Sequence, residues 1–150
     1  MPHPSDHPSR DRQAWMSLLA KATPGRLKAL TPDLPQAKVL RPPEIGAVMV
    51  QGRVGGTGSA FNLGEMTVTR CSVQLAEGVV GHAYVQGRDK DHAMRAAILD
   101  ALLQTDQHVS LHDAVLNPLR AEADAIRGAR AGKAAATKVE FFTMVRGEDK

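Results

Sequence analysis

The stretch from Thr67 to Val85 constrains the fold more than any other part of the chain. Cys71, Val73 and Leu75 occupy alternate positions and so share one face of a strand, and the short acidic-glycine turn Glu77-Gly78 separates them from a second run, Val79 to Val85. Two strands joined by so short a turn can meet only as antiparallel neighbours. A further strand is predicted from Ile45 to Val54, where valines recur at 48, 50 and 54. Between the first and second strands lies GGTGSAFNLGE, Gly55 to Glu65, a glycine-rich loop too polar for a core.

Helical spacing frames this sheet. Trp15, Leu18, Leu19 and Ala22 fall at i, i+3, i+4 and i+7, with Arg12, Gln13 and Ser17 on the solvent side. Thr23 followed by Pro24 is an N-cap with proline in the first turn, opening a short helix through Leu27 and Leu30 that Pro32 and Pro35 stop. Asp89 opens the strongest amphipathic segment, with Met94, Ala97, Ile98, Ala101 and Leu102 on one side and Asp91, Arg95 and Asp100 off it. Asn117-Pro118 signals another helical start, carrying Leu119, Ala123 and Ile126 on a stripe that Gly128 and Gly132 weaken. Residues 138–145, KVEFFTMV, return to β-type side chains, and the adjacent Phe141 and Phe142 predict a strand buried on both faces. A hairpin in place of βαβ alternation gives an α+β fold, a small and mainly antiparallel sheet packed with helices.

At 150 residues the expectation is one domain, residues 12–147. The first eleven residues have almost no apolar side chains to offset the entropy of ordering and are expected to form a mobile tail, as are residues 148–150 at the other end. One cysteine, Cys71, excludes an internal disulfide framework. No apolar run approaches a membrane span and the N-terminus lacks the apolar core of a signal peptide, so a cytoplasmic protein without a membrane is expected. The net charge of +3 is spread among acidic residues, and aromatic residues are only 3%, too few to build stacking platforms for exposed bases. A small nucleotide- or RNA-binding module without catalytic activity is the alternative function, and these features weigh against nucleic acid.

Two segments could hold an anion or contact another subunit. Arg53, Gly55, Gly56, Thr57 and Gly58 combine backbone N–H groups with a guanidinium, but no Lys-Ser/Thr pair or helix follows, so the spacing fits a connector or subunit-contact loop better than a phosphate loop. Arg88, Asp89 and Lys90 sit where a strand ends and a helix begins, and there the carboxylate of Asp89 competes as a cap with any outside anion. His108 and His112 have helical zinc spacing but neither an intervening glutamate nor a third ligand, and are expected to be solvated loop residues, with no metal bound. His82 is expected at a surface or interface, and Cys71 in the core. No catalytic constellation is recognisable, and the catalytic residues are left unknown. Trp15, Phe61, Phe141 and Phe142 exceed what a small sheet needs and are expected to form an apolar partner surface.

Read in order, RQAWMSLLA (12–20), GRVGGTG (52–58), VQGRDK (85–90) and VEFFTMVRG (139–147) resemble the PhnG family, the G subunits of the bacterial carbon-phosphorus lyase core complex. Tyr84 and Cys71 stand where that family carries tryptophan and alanine, exchanges compatible with packing. The resemblance implies a non-autonomous subunit of α-D-ribose 1-methylphosphonate 5-triphosphate synthase in organic phosphonate catabolism. It implies as partners the H, I and J subunits and the ATP-binding-cassette-like K and L proteins. The substrates are then ATP and methylphosphonate. No cofactor is bound by this chain alone, the complex using ATP with magnesium.

Overall fold

A computed structural model describes the backbone of residues 6–148 and the side chains of residues 10–136. In chain order the elements are α1 (Asp6–Lys21), α2 (Pro24–Leu30), β1 (Lys38–Arg53), β2 (Ala60–Gln74), β3 (Val80–Gln86), α3 (Lys90–Leu102), α4 (His108–Leu111) and α5 (Asn117–Glu148). The three strands form one antiparallel sheet in the order β1-β2-β3, an α+β fold. Among the described residues no helix is long and apolar enough to cross a membrane.

The hairpin is closed as its sequence requires. Gly78 adopts φ 96°, open to glycine without strain, and the turn is pinned by Leu75 N–H to Val79 O at 2.9 Å and Gly78 N–H to Leu75 O at 2.9 Å. Cys71, Val73 and Leu75 face inward with Ala83 and Val85, and α3 covers them with Ala93, Ala97, Ile98 and Ala101. Gly81 makes this approach close. A Cβ there would lie 2.0 Å from the carbonyl oxygen of Ala97, so only glycine lets α3 rest on β3.

The strands are longer than the alternation suggests. β1 starts at Lys38 and passes through Pro42 and Pro43, which an edge strand tolerates because outward positions need no N–H donor, with register shifts on either side of Arg41. β2 starts at Ala60, so Ala60–Glu65 pair with β1 and do not belong to the polar loop, which shrinks to residues 54–59. Asn117-Pro118 opens α5, as its sequence predicts, but the start is not a fresh one: α4 and a π-helical turn (His112–Leu116) lead into it without a break. The N–H of Asn117 reaches back to His112 O, and the widened turn directly precedes the residue that has no N–H to give. Residues 138–145 are helical, the end of α5, and no strand forms there. The alanine-rich run before them contains no proline, and helix propagation overrides the local β preference. The side chains of Phe141 and Phe142 lie outside the described residues. Helix α1 begins at Asp6, well before the periodic stripe does.

The largest departure from the sequence reading is on α3. Asp100 is fully buried, although its helical position puts it off the apolar stripe. Arg12 and Trp15 of α1 explain the difference: Arg12 Nε and Nη2 donate to the carboxylate at 3.2 and 2.8 Å, and Trp15 Nε1 donates at 2.8 Å. The fourth donor is the backbone N–H of His82 at 2.8 Å, which points off the open edge of β3. Just past the end of α3, Gln104 Nε2 donates to Val80 O at 2.9 Å. One side chain of α3 and one from the turn after it thus satisfy edge-strand groups that would otherwise be free to pair with another chain. Arg12 is consequently no solvent residue, and Asp100 first of all holds its guanidinium above the ordinary value by the side-chain bond.

Removing the carboxylate strands the Trp15 and His82 donors in the interior. Asp100→Ala is expected to lower unfolding free energy by about 3 kcal/mol, and Arg12→Ala by roughly 1 because its side chain is partly solvated. Urea denaturation read by Trp15 fluorescence measures both, and equal losses for the two variants would contradict this assignment.

Candidate functional site

The two segments singled out by sequence lie far apart. Gly87 N–H bonds Thr67 O at 2.9 Å, which fixes the β3-to-α3 junction beside the middle of β2, whereas residues 54–59 cap the far end of the β1-β2 ribbon. The stretch of β2 from Thr67 back to Ala60 spans roughly 23 Å of extended chain, so the segments cannot share one ligand.

At the tip, Val54–Gly56 form a single 3₁₀ turn with Gly55 and Gly56 at φ 61° and 83°. Val54 N–H and Gly58 N–H are occupied by Ser59 O (3.2 Å) and Val54 O (2.8 Å), and Arg53 Nη1 folds back to Gly58 O at 3.4 Å. Thr57 is exposed. At the junction, Asp89 Oδ1 accepts from His92 N–H at 3.0 Å and caps α3. Arg88 and Lys90 are exposed and make no bond to other described residues.

A different cluster comes together on the outer face of the sheet, where register sets the neighbours. Glu44, Arg70 and Tyr84 form one row across the three strands, and Arg41, Ser72 and His82 form the next. Arg70 Nη2 lies 3.5 Å from Glu44 Oε2, and Ser72 Oγ lies 2.8 Å from His82 Nδ1. Tyr84, through a side-chain bond and then by charge, holds Arg70 above its ordinary value, with Glu44 adding to the effect. The Nε of Arg70 is buried and has no hydrogen-bond partner. Arg41, Arg70, Ser72, His82 and Tyr84 line a cavity of ≈ 570 Å³, with Leu40 and Met16 among its apolar wall. Tyr84 is half exposed and belongs to this face beside His82. Cross-strand register brings these residues together from three segments, and no single stretch of sequence carries the signal.

The histidines divide by role. His108 and His112 lie on the α4–π-turn segment, half-buried, and not in a solvated loop. The His108 ring sits 5.4 Å from Trp15 and its Nδ1 is 2.9 Å from Leu103 O. Among the described residues no group of three His, Cys, Asp or Glu side chains is placed to hold a metal. His82 is exposed and no carboxylate bonds its ring among the described residues, so the Ser72–His82 pair lacks the orienting acid of a triad. His92, which the sequence reading passed over, is buried and joins α3 to α1 through Nε2 and Leu19 O at 2.8 Å.

The apolar surface is real but differently composed. Trp15 is buried in the core, while Phe61 is exposed together with Ile45, Met49, Val54 and Leu63. Met49, Val54, Phe61 and Leu63 lie on the part of the β1-β2 ribbon beyond Val68, where β3 no longer pairs with β2, and Ile45 stands just inside it, opposite Thr69. A two-stranded ribbon gains little stability by itself in water, and one with apolar side chains exposed is a surface suited to a partner.

A family model described as "Phosphonate metabolism protein PhnG" matches residues 10–147. The chain is also similar to a curated protein of Rhizobium meliloti (strain 1021), "Alpha-D-ribose 1-methylphosphonate 5-triphosphate synthase subunit PhnG". The two are 47% identical over 141 residues, which cover 92% of this chain and 90% of that one.

Two measurements test the geometry. Asp89→Ala is expected to lower stability by about 1 kcal/mol in urea denaturation, and Arg88→Ala to leave it nearly unchanged; equal losses would refute the capping assignment. Burial raises the Cys71 thiol above its ordinary value of 9.0. The stability tied to that thiol is therefore intact below pH 9.0 and is lost as pH rises from there through the folded-state value. Native Cys71 should resist a disulfide reagent at neutral pH and react on unfolding; rapid native reaction would contradict its burial.

Proposed function

Since the chain belongs to the PhnG family of phosphonate metabolism proteins, we propose that it is the G subunit of α-D-ribose 1-methylphosphonate 5-triphosphate synthase. It works in the cytoplasm with the H, I and J subunits and the ATP-binding-cassette-like K and L proteins. The observation that carries this reading is the similarity to the synthase subunit along nearly the full length of both chains. The reaction joins a methylphosphonate oxygen to the ribose C1 of ATP. The C1–O bond forms, the C1–N bond to adenine breaks, and adenine leaves with a proton. Positive charge develops on the ribose as the base departs, so the assembled site must protonate adenine and neutralise the triphosphate.

The chain's own residues fit a supporting role in that chemistry. Its buried carboxylate, Asp100, already accepts four hydrogen bonds and is not free to move a proton. Among the described residues no three His, Cys, Asp or Glu side chains are grouped to hold the magnesium that accompanies ATP. What remains available is surface: the apolar ribbon with Phe61 and Leu63, and the unengaged cations Arg88 and Lys90. The ribbon buries against a partner subunit, and the junction cations meet an acidic surface or the substrate.

Complementation tests this. A strain lacking its own G subunit should grow on methylphosphonate as sole phosphorus source when given this chain, and tagged chain should retain the H, I and J subunits on purification. Arg88→Ala should fold normally yet reduce growth or retention. Turnover of ATP and phosphonate by the chain freed of all partners would overturn the subunit reading, and normal growth and assembly of Arg88→Ala would remove Arg88 from it.

A further inference from the structure

We propose that the cavity on the outer face of the sheet binds the tetrahedral oxyanion of a phosphoryl or phosphonyl group, held by Arg41, Arg70, Tyr84, Ser72 and His82. The preference for such a ligand over other oxyanions rests on the proposed function; the site itself rests on geometry alone.

The argument begins with what the register does. Arg41 opposite Ser72 and Arg70 opposite Tyr84 put two guanidinium-bearing strands and three short polar donors on one face, around a cavity of ≈ 570 Å³. That volume is ample for a small oxyanion with its waters. The donors are only partly spent on one another. Arg70 is held by Tyr84 on one side and meets Glu44 only at 3.5 Å, and its side chain stays 42% exposed. Its outer guanidinium nitrogens are open to a ligand in the cavity, and a guanidinium can bond two oxygens of an oxyanion at once. His82 and Ser72 bond each other at 2.8 Å, which leaves the second ring nitrogen of His82 to face the ligand. If Ser72 Oγ–H donates to Nδ1, then Nε2 carries the proton and is a further donor.

Among the described residues Glu44 is the carboxylate beside Arg70 that opposes an anion, and it makes the proposal sharp. It stands in the same row as Arg70 and Tyr84 and contributes a like charge to any bound oxyanion. Two arginines against one carboxylate leave the cavity with net positive charge, enough for weak, selective binding. Removing the carboxylate should therefore strengthen binding while leaving the donors intact.

The test is calorimetric titration of the full chain with inorganic phosphate, methylphosphonate, ATP and sodium acetate at low salt. Saturable binding of phosphate or methylphosphonate is expected, with acetate weaker. If both small ligands and ATP compete for one site, the source is the triphosphate or the phosphonate equally. If only methylphosphonate and phosphate compete, the site is for the free acceptor, and either result supports the proposal. Arg70→Ala and Arg41→Ala should each weaken binding about tenfold or more, and Glu44→Gln should tighten it several-fold. Tyr84→Phe, a mild change at a half-exposed position, gives a second reading should an arginine variant fold poorly, and should weaken binding measurably. No saturable binding, or binding indifferent to Arg41→Ala, Tyr84→Phe and Glu44→Gln alike, overturns the proposal. Growth on methylphosphonate is scored in parallel: complementation without oxyanion binding removes this site and keeps the subunit reading, and oxyanion binding without complementation does the reverse.

Discussion

One buried carboxylate organises the described structure. Asp100 collects Arg12 and Trp15 from α1 and the backbone of His82 from β3, so a helix, an edge strand and the terminal helix of the sheet layer meet at two oxygen atoms. Burying a charge is costly, and here the cost is offset only because every strong acceptor direction is filled and one partner is a guanidinium. The position of α1 depends on this. Without Asp100, α1 would be held by its apolar side chains, chiefly Trp15 and Leu19, and by the His92–Leu19 bond, and the edge of β3 would lose much of its cover. Gly81 completes the arrangement, since the same approach of α3 that brings Asp100 to the edge leaves no room for a side chain there.

The same network explains which parts of the fold can be read from the sequence. Hairpin and cap are local: the Glu77-Gly78 turn and the Asp89 cap depend on residues within a few positions, and both stand where the pattern puts them. Asp100 is not local. Its helical phase marks it as solvent-facing, and only the arrival of Arg12, eighty-eight residues away in sequence, makes it buried. Cross-strand rows are equally opaque. Arg41 meets Ser72 because bulges around Pro42-Pro43 shift the register of β1, and alternation within one strand carries no information about which residue of the next will face it. The end of α5 fails for another reason: residues 138–145 have β-type side chains, but a helix already propagating from Asn117 extends through them more readily than a new strand could nucleate.

Sheet geometry also divides the surface by purpose. β3 pairs with β2 over only seven residues, Val68 to Gln74, because Gly87 turns the chain away at φ 92°. Below that point three strands carry the polar rows of Arg70, Tyr84, Ser72 and His82; above it two strands carry Met49, Phe61 and Leu63 in the open. One short strand therefore separates a charged, concave face from an apolar arm. The free edge of β1 is interrupted by Pro42-Pro43 near the core but not along the arm, so backbone groups as well as side chains are left available there.

Several of the chain's carboxylates have partners within the fold. Asp100 is saturated, Asp89 caps a helix, Asp91 pairs with Arg95, and Glu122 pairs with Arg26. Of these, Asp100 and Asp89 bond groups that the fold itself positions, while the other two pair with arginines at the surface. The cations are distributed differently. Arg95 is spent on Thr31 O and Asp91, yet Arg88 and Lys90 are unengaged and Arg70 is only partly satisfied. Arg88, Lys90 and the partly satisfied Arg70 are suited to holding anionic groups while partner residues supply the proton transfer.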